Sequence, residues 1–253
     1  MTDAMNRSWG ALDRRAIIKG GIVAGLGLTM PARAFATEGT AALGPAAALP
    51  AEAPVAEAAA GFVSPQAVSP VAVAADPAAV MRYHRRVLEV AARQVERVRG
   101  QLWRTDLVGV ADFALPSWKP RFHFANLENG TVRSFLLAHG RGSDPAHSGW
   151  LQSFSNLPGS EATSRGAFLT CEWYKGKYGT SIRLVGLDPD NSMALDRAIV
   201  MHPAWYVDAA MIGKWGKLGR SEGCFAMGNE DFNEALWHLS GGRLLFADRI
   251  GEA

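Results

Sequence analysis

The most constraining feature of the sequence is its segment from Leu107 onward, where short apolar runs alternate with turn residues. Runs of this length, rich in β-branched and aromatic residues, predict strands rather than helices. Asn129 and Gly130 form the dipeptide most typical of a tight hairpin, so the strands on either side of it should pair. The predicted strands are Leu107–Phe113, Arg121–Asn126, Thr131–His139, Ala167–Trp173, Ser181–Val185, Arg197–His202 and Arg243–Phe246.

Two helices are predicted beside these strands. Asp76 and Pro77 supply an N-cap and a proline at the first helical position, and apolar residues then recur at helical spacing as far as Val98. A second helix is predicted over Asp231–Leu239, before a pair of glycines. One long helix, many strands and a short late helix indicate a β-rich α+β fold.

Residues 1–36 have the features of an export signal. Arg14 and Arg15 precede a glycine-interrupted apolar stretch, and Ala34-Phe35-Ala36 provides small residues at the spacing of a signal peptidase site. The segment resembles a twin-arginine leader, although Asp13 stands where Ser or Thr is usual. It predicts a protein exported to the periplasm or another extracytoplasmic space, with no stable membrane span in the mature chain. Retention as an uncleaved anchor is the alternative.

Residues 37–76 are rich in alanine, contain five prolines and have no basic residue. This composition predicts a disordered linker, which leaves 77–253 as one catalytic domain. Five of the 26 basic residues and two of the 24 acidic ones lie within residues 1–36, so the remainder has a net charge of −1. This balance argues against a nucleic-acid-binding protein. Two cysteines in 253 residues exclude a disulfide-built scaffold.

The segment from Gly219 to Cys224 is the best candidate for chemistry. Gly223 allows the backbone before Cys224 to turn sharply, and amides at such a turn can point at an oxyanion. A thiol is mostly protonated at neutral pH, so a nucleophilic cysteine needs a base nearby. His202, at the end of an apolar strand, is the leading candidate. A buried inert thiol and a hydrogen-bonded core histidine are the structural alternatives.

Other residues offer weaker signals. His139, His147 and Cys171 lack a fourth ligand at a recognisable spacing, so we predict no metal site and no cofactor. Tyr174 and its aromatic neighbours Trp173 and Tyr178 are candidates for lining a peptide groove, or else pack at the rim of the core. In an oxidising compartment Cys171 is also a candidate disulfide partner of Cys224.

Residues Ser221-Glu222-Gly223-Cys224 resemble the Ser–any–Gly–Cys signature of YkuD-type L,D-transpeptidases. Over roughly residues 80–250 the chain resembles, more closely, the murein L,D-transpeptidase catalytic domain family. The resemblance rests on pieces that occur in order: Pro120-Arg121-Phe122, His139 to Ser143, Phe154-Ser155-Asn156, Ser164 to Phe168, Tyr174 to Gly179, Arg197 to His202, and Gly219 to Cys224.

This resemblance implies a YkuD-like β-sandwich with flanking helices and a peptidoglycan stem peptide as the partner. The thiolate of Cys224 would attack the carbonyl of an L-residue joined to a D-residue, with His202 as base, and give a thioester. The amides of Gly223 and Cys224 would form the oxyanion hole, and Ser221 would orient the histidine or the loop. The resemblance also implies inactivation by carbapenems.

We assign substrate binding to Arg220, His139 and Tyr174, which lie within the same motifs. The chain departs from the family pattern at Phe225. The better-known YkuD signature continues after the cysteine with an apolar residue and an arginine, whereas the divergent branch usually has proline next to the cysteine. Arg220 is a candidate for the missing positive charge, or else a loop residue with a surface contact. An L,D-carboxypeptidase of the same fold and an inactive cell-wall-binding protein are the alternative functions. The sequence leaves the oligomeric state open.

Overall fold

The computed structural model describes residues 76–251, which contain three α-helices and eight strands. The strands form one hydrogen-bonded sheet in the order β3-β2-β1-β8-β4-β5-β6-β7. The helices are α1 (Pro77–Val98), α2 (Ala209–Trp215) and α3 (Asp231–Leu239). The strands are β1 (Leu107–Asp112), β2 (Phe122–Asn126), β3 (Thr131–Phe135), β4 (Gly166–Gly176), β5 (Gly179–Gly186), β6 (Val200–Pro203), β7 (Phe225–Met227) and β8 (Leu244–Asp248).

The predicted first helix is confirmed. The Asp76 carboxylate accepts a hydrogen bond from the Ala78 amide at 3.0 Å, and Pro77 occupies the first turn. The buried residues of α1 recur every three or four positions and pack on β1 and β8. They are Val87, Val90, Ala91, Val95 and Val98.

The Asn129-Gly130 turn is also confirmed. Strands β2 and β3 are antiparallel with Asn126 opposite Thr131, and Gly130 has a φ of +67°, a value that glycine adopts without strain. Strand β8 lies parallel to β1 and antiparallel to β4, so it joins the two halves of the sheet.

The main core lies on the other face of the sheet from α1 and includes residues of all eight strands and of α3. The ring of Phe113, just after β1, lies 6.3 Å from that of Phe225 in β7. After β3 the chain continues to Ala138, whose amide donates to the Ala226 carbonyl at 2.9 Å. The two ends of the sheet therefore meet around this core. The β-rich α+β class is confirmed.

Two parts of the site differ from the expected elements. Strand β6 begins at Val200 rather than Arg197, because Ala198 has a left-handed φ of +52° that interrupts an extended chain. Helix α2 and strand β7 were not predicted, since seven and three residues are too few to show a periodic pattern.

The predicted export signal at residues 1–36 lies outside the described residues, as does the linker as far as residue 75. Within 76–251, no helix is both long and apolar enough to cross a bilayer.

Candidate active site

His202 lies in β6, and Cys224 immediately precedes β7, the parallel partner strand of β6. His202 is in register with Ala226, and Cys224 is two residues before Ala226. Because side chains alternate along a strand, His202 projects to one side of the sheet together with its partner Ala226, and Cys224 lies in the bend just before β7. Met201 and Phe225 project to the opposite side, into the main core. The strand register thus brings the segments that carry the predicted nucleophile and the predicted base side by side.

The tautomer of His202 follows from its hydrogen bond. Its Nδ1 lies 2.9 Å from the Pro203 carbonyl oxygen. A carbonyl oxygen only accepts, so Nδ1 carries the proton and Nε2 of the neutral ring has a free lone pair. Burial lowers the pKa of His202, while the bond to Pro203 opposes that shift. The ring is therefore a neutral base near pH 7.

Cys224 is buried, with 4% of its surface exposed. Its Sγ lies 3.7 Å from the Ala198 carbonyl oxygen, which accepts from the thiol. Burial raises the pKa of Cys224, and an interaction with the Val200 backbone amide lowers it. The Sγ atom is thus directed at the segment that leads into β6. In this conformation the thiol donates to Ala198 and not to His202.

The turn before Cys224 is fixed by Ser221 and Gly223. Ser221 Oγ donates to the Cys224 carbonyl at 2.6 Å and accepts from the Gly223 amide at 3.2 Å. Gly223 has a φ of +111°, and a Cβ there would lie 2.9 Å from the Ala162 carbonyl oxygen. Only glycine fits this position. Ser221 was expected to orient either the histidine or the loop. Its hydrogen bonds to Cys224 and Gly223 correspond to the second role, holding the loop.

The same contacts bear on the expected oxyanion hole. The Gly223 amide already donates to Ser221 Oγ, so in this conformation it is not directed at an incoming oxyanion. Ser221 Oγ would have to release it on substrate binding for the two amides of Gly223 and Cys224 to act together.

The tip of the β4–β5 hairpin covers the histidine. The Tyr178 ring stacks on His202 with centroids 4.5 Å apart, and its hydroxyl donates to Glu222 at 3.0 Å. Lys177 and Arg141 each approach Glu222 at 3.8 Å. The motif residue Glu222 thus ties the hairpin tip to the nucleophile loop.

A cleft of about 440 Å³ opens beside His202. Trp205, 73% exposed, and Tyr206 form aromatic walls with Tyr178. Pro203, Ala204 and Asn229 complete the lining. An aromatic-walled cleft next to the predicted base can hold an extended peptide, although Cys224 is not among the residues that line it. Tyr178 was among the sequence candidates for a groove, whereas Trp205 and Tyr206 carry no motif that would have revealed them.

The three residues expected to bind substrate lie elsewhere. Arg220 donates to the backbone carbonyls of Asp144 and Pro145. Of the two roles considered for Arg220, this contact corresponds to a loop residue and not to a free positive charge. The Tyr174 ring packs under the Arg183 guanidinium at 4.6 Å. His139 is 1% exposed, so its side chain does not face a groove. Proximity to the motifs in the sequence did not predict where these three side chains lie, because the long side chains in this region contact one another.

His139 belongs to a buried polar cluster. Arg121, fully buried, donates to His139 Nδ1 at 2.7 Å and to the Leu137 carbonyl at 2.9 Å. His139 Nε2 is buried without a hydrogen-bond partner and lies 3.4 Å from Asp144. Burial lowers the pKa of His139 to about 3, and the Arg121 charge acts in the same direction. The ring is neutral and supports the 139–144 loop.

Both cysteines are free thiols. Cys171 is half-buried, and burial raises its pKa to about 11.

Phe225 packs against the rings of Phe113 and Phe168. Its ring therefore does not narrow the cleft beside Cys224. Across residues 76–251, no three His, Cys, Asp or Glu side chains converge as metal ligands.

The family model of the L,D-transpeptidase catalytic domain matches residues 81–247 of the 253. The chain belongs to this family. The matched region begins within α1 and ends in β8, so it includes all eight strands of the L,D-transpeptidase domain.

Solved structures with similarity to this domain are L,D-transpeptidases and a cell-shape protein. An L,D-transpeptidase from Mycobacterium smegmatis is 15% identical with a TM-score of 0.35, covering 56% of this chain and 58% of that chain. An L,D-transpeptidase from Mycobacterium tuberculosis H37Rv is 14% identical with a TM-score of 0.36, covering 56% and 57%. The helical cell shape determining protein Pgp2 from Campylobacter jejuni is 12% identical with a TM-score of 0.37, covering 65% and 56%.

The chain thus spans less than three fifths of the length of these structures. No curated protein matches it.

Proposed function

We propose that the protein is a cysteine-dependent peptidoglycan L,D-transpeptidase, with Cys224 as nucleophile and His202 as base. The observation that carries the proposal is the register of β6–β7, in which Cys224 comes two residues before the partner of His202, with an aromatic-walled cleft beside the histidine. Membership of the L,D-transpeptidase family supports the substrate class that we propose, a stem peptide with an L–D linkage.

The reaction begins when the Cys224 thiol gives its proton to His202 Nε2. The sulfur lone pair adds to the carbonyl carbon of the L-residue, and the carbonyl oxygen becomes an oxyanion. When the oxyanion collapses, the bond to the D-residue nitrogen breaks. His202 returns its proton to that nitrogen, and a thioester remains on Cys224.

The thioester is then resolved by an acceptor amine, which forms a new peptide bond and regenerates the thiol. Attack by water instead would give the L,D-carboxypeptidase reaction. The exposed wall formed by Trp205 leaves the cleft beside His202 open to a second peptide, which favours the amine. We further propose that the protein works outside the cytoplasm, where stem peptides are found and to which the Arg14-Arg15 signal would direct it.

The test is incubation of the protein with purified muropeptides, with and without a second stem peptide as acceptor. Mass spectrometry should show a cross-linked product that is missing with Cys224→Ala. Cys171→Ala is the matched control, since it removes the other thiol and should retain activity. If the only products are trimmed stem peptides, even with excess acceptor, the result would favour the carboxypeptidase. Unchanged peptides would favour a wall-binding protein.

A further inference from the structure

Arg197 occupies an unusual position beside the nucleophile turn. It is partly buried, and its guanidinium donates four hydrogen bonds. The acceptors are the carbonyls of Ser155 and Ala162 and the hydroxyls of Ser160 and Ser164. All four are neutral, so these contacts orient the guanidinium without cancelling its charge.

The same guanidinium lies against the backbone that carries Cys224. Its Nη2 is 3.3 Å from the point that a Cβ of Gly223 would occupy. The next residue, Ala198, supplies the carbonyl that accepts from Cys224 Sγ at 3.7 Å. Ala198 has a left-handed φ of +52°, a conformation that alanine seldom adopts. This backbone conformation lets the chain present both the Arg197 guanidinium and the Ala198 carbonyl to the Gly223–Cys224 turn.

Other charged groups around Cys224 are balanced among themselves. Glu222 is paired with Lys177 and Arg141 and accepts from Tyr178. Tyr206, whose pKa burial raises beyond the physiological range, stays neutral. His202 is neutral for the reasons given above. Among the described residues, the cations whose charge acts on the Cys224 thiol are Arg197 and Lys177, and of these two Arg197 lacks a carboxylate partner.

We propose that Arg197 is a positioning residue that holds the Gly223–Cys224 turn and supplies the fixed positive charge that stabilises the Cys224 thiolate. When the S–H bond breaks, the electron pair stays on sulfur, and the proton passes to His202 Nε2 or to solvent. The thiolate then becomes the counter-ion of Arg197.

The electrostatic interactions agree in direction with this geometry. The Arg197 charge lowers the pKa of Cys224 against the larger effect of burial. Burial lowers the pKa of Arg197 in turn, and ionised Cys224 raises it. Each group thus favours the charged form of the other. The inference deepens the proposed function, because it rests on Cys224 being the nucleophile.

The test is the rate of Cys224 alkylation by iodoacetamide between pH 5 and 10, in a Cys171→Ala background so that one thiol reacts. Arg197→Gln should raise the midpoint of the profile by about one pH unit or more, so that the rate at pH 7 falls about tenfold. Arg197→Lys, which keeps the charge, should shift the midpoint less. Arg133→Gln is the matched control: Arg133 is exposed and paired with Glu234, and its loss should leave the midpoint unchanged.

If Arg197→Gln does not fold, as judged by circular dichroism, citrulline at this position provides a neutral side chain of the same length that keeps most of the donors. A folded neutral variant with the wild-type midpoint would overturn the proposal. So would a Lys variant shifted as far as Gln, since geometry alone would then explain the effect. Alkylation involves no peptidoglycan, so this result is independent of whether muropeptides are cross-linked.

Discussion

The ring of Tyr178 lies flat on the imidazole of His202, with the two planes only 19° apart. Tyr178 is at the tip of the β4–β5 hairpin, and His202 is near the end of β6. The contact removes one face of the imidazole from water, which disfavours its protonated form. The hairpin therefore sets the protonation state of the base as well as one wall of the cleft.

Tyr178→Ala should move the acid limb of the pH–activity profile to higher pH. Exposing the imidazole raises the pKa of His202 toward its ordinary value of about 6.5, so more of the base is protonated and idle in mild acid. The measurement is the cross-linking rate from pH 5 to 8. Tyr178→Phe is the matched control, because it keeps the ring and loses only the hydroxyl bond to Glu222. Equal shifts in both variants would contradict this account.

His202→Ala should lower the cross-linking rate by at least about 10²-fold, the usual cost of losing a general base. The melting temperature should change little, because the imidazole makes one hydrogen bond and one ring contact. His238→Ala is the control, since His238 is on α3 and pairs with Glu234 at 3.3 Å. Activity within a few-fold of wild type in His202→Ala would mean that another group takes the thiol proton.

The sequence predicted the elements with long, regular patterns and missed those built from a few residues. Helix α1 was predictable because its buried positions repeat over 22 residues, and the β2–β3 hairpin because Asn129-Gly130 has few other uses. The motif residues Cys224 and His202 were singled out for a similar reason, since their neighbours carry local signals, and their catalytic roles stay a prediction. Trp205 and Tyr206 lie in a loop with no such signal.

Long polar side chains were the hardest to assign from sequence. Arg197 and Arg220 look equivalent there, each a single arginine within a motif. Their partners come from segments 33 to 76 residues away in the chain, so only the folded structure shows which arginine lies against the nucleophile turn. The burial of His139 was hard to predict for the same reason, because its partner Arg121 comes from a segment 18 residues away in the chain.

The buried rings of His123 and His139 should make the fold less stable in acid. Burial lowers the pKa of each to about 3, whereas the unfolded chain protonates histidine near pH 6.5. Unfolding therefore takes up protons below about pH 6.5, and stability is lost as the pH falls toward 3. Each ring should contribute up to about 1.4 kcal/mol per pH unit.

The measurement is the free energy of unfolding in urea at pH 7, 6 and 5. His123→Asn should show a shallower pH dependence than wild type, because one of the two rings is gone. The exposed His238→Asn should keep the wild-type dependence. A free energy of unfolding that stays constant from pH 7 to 5 would show that these rings are protonated in the folded protein.

Export should depend on the twin arginines. Arg14→Lys combined with Arg15→Lys keeps the charge of the segment but removes the pair that a twin-arginine signal requires. Cell fractionation should then find the precursor in the cytoplasm. Arg7→Lys, a matched change outside the pair, should leave export unaffected, and the exported protein should begin near Thr37. Normal export of the double variant would rule out this route.

A carbapenem should acylate Cys224. The thiolate adds to the strained lactam carbonyl, the ring C–N bond breaks, and the nitrogen takes a proton, so the adduct has the mass of the intact drug. Phe225 does not obstruct this reaction, because its ring packs against Phe113 and Phe168 in the core. Peptide mapping should locate one adduct on the peptide that contains Cys224. Cys224→Ser should give none, and Cys171→Ala should react like wild type.

The His202→Ala variant separates acylation from simple thiol exposure. Adduct formation should slow in this variant, since fewer thiolates form at neutral pH when the base is missing. A free-thiol assay must come first, because a disulfide between Cys171 and Cys224 would also prevent reaction. If the thiol is free and iodoacetamide labels it, yet no carbapenem adduct appears, the turn at Gly223 does not stabilise an oxyanion. The Gly223 amide would then remain bound to Ser221 Oγ during the reaction, as in the present conformation, and a wall-binding role would become the better explanation.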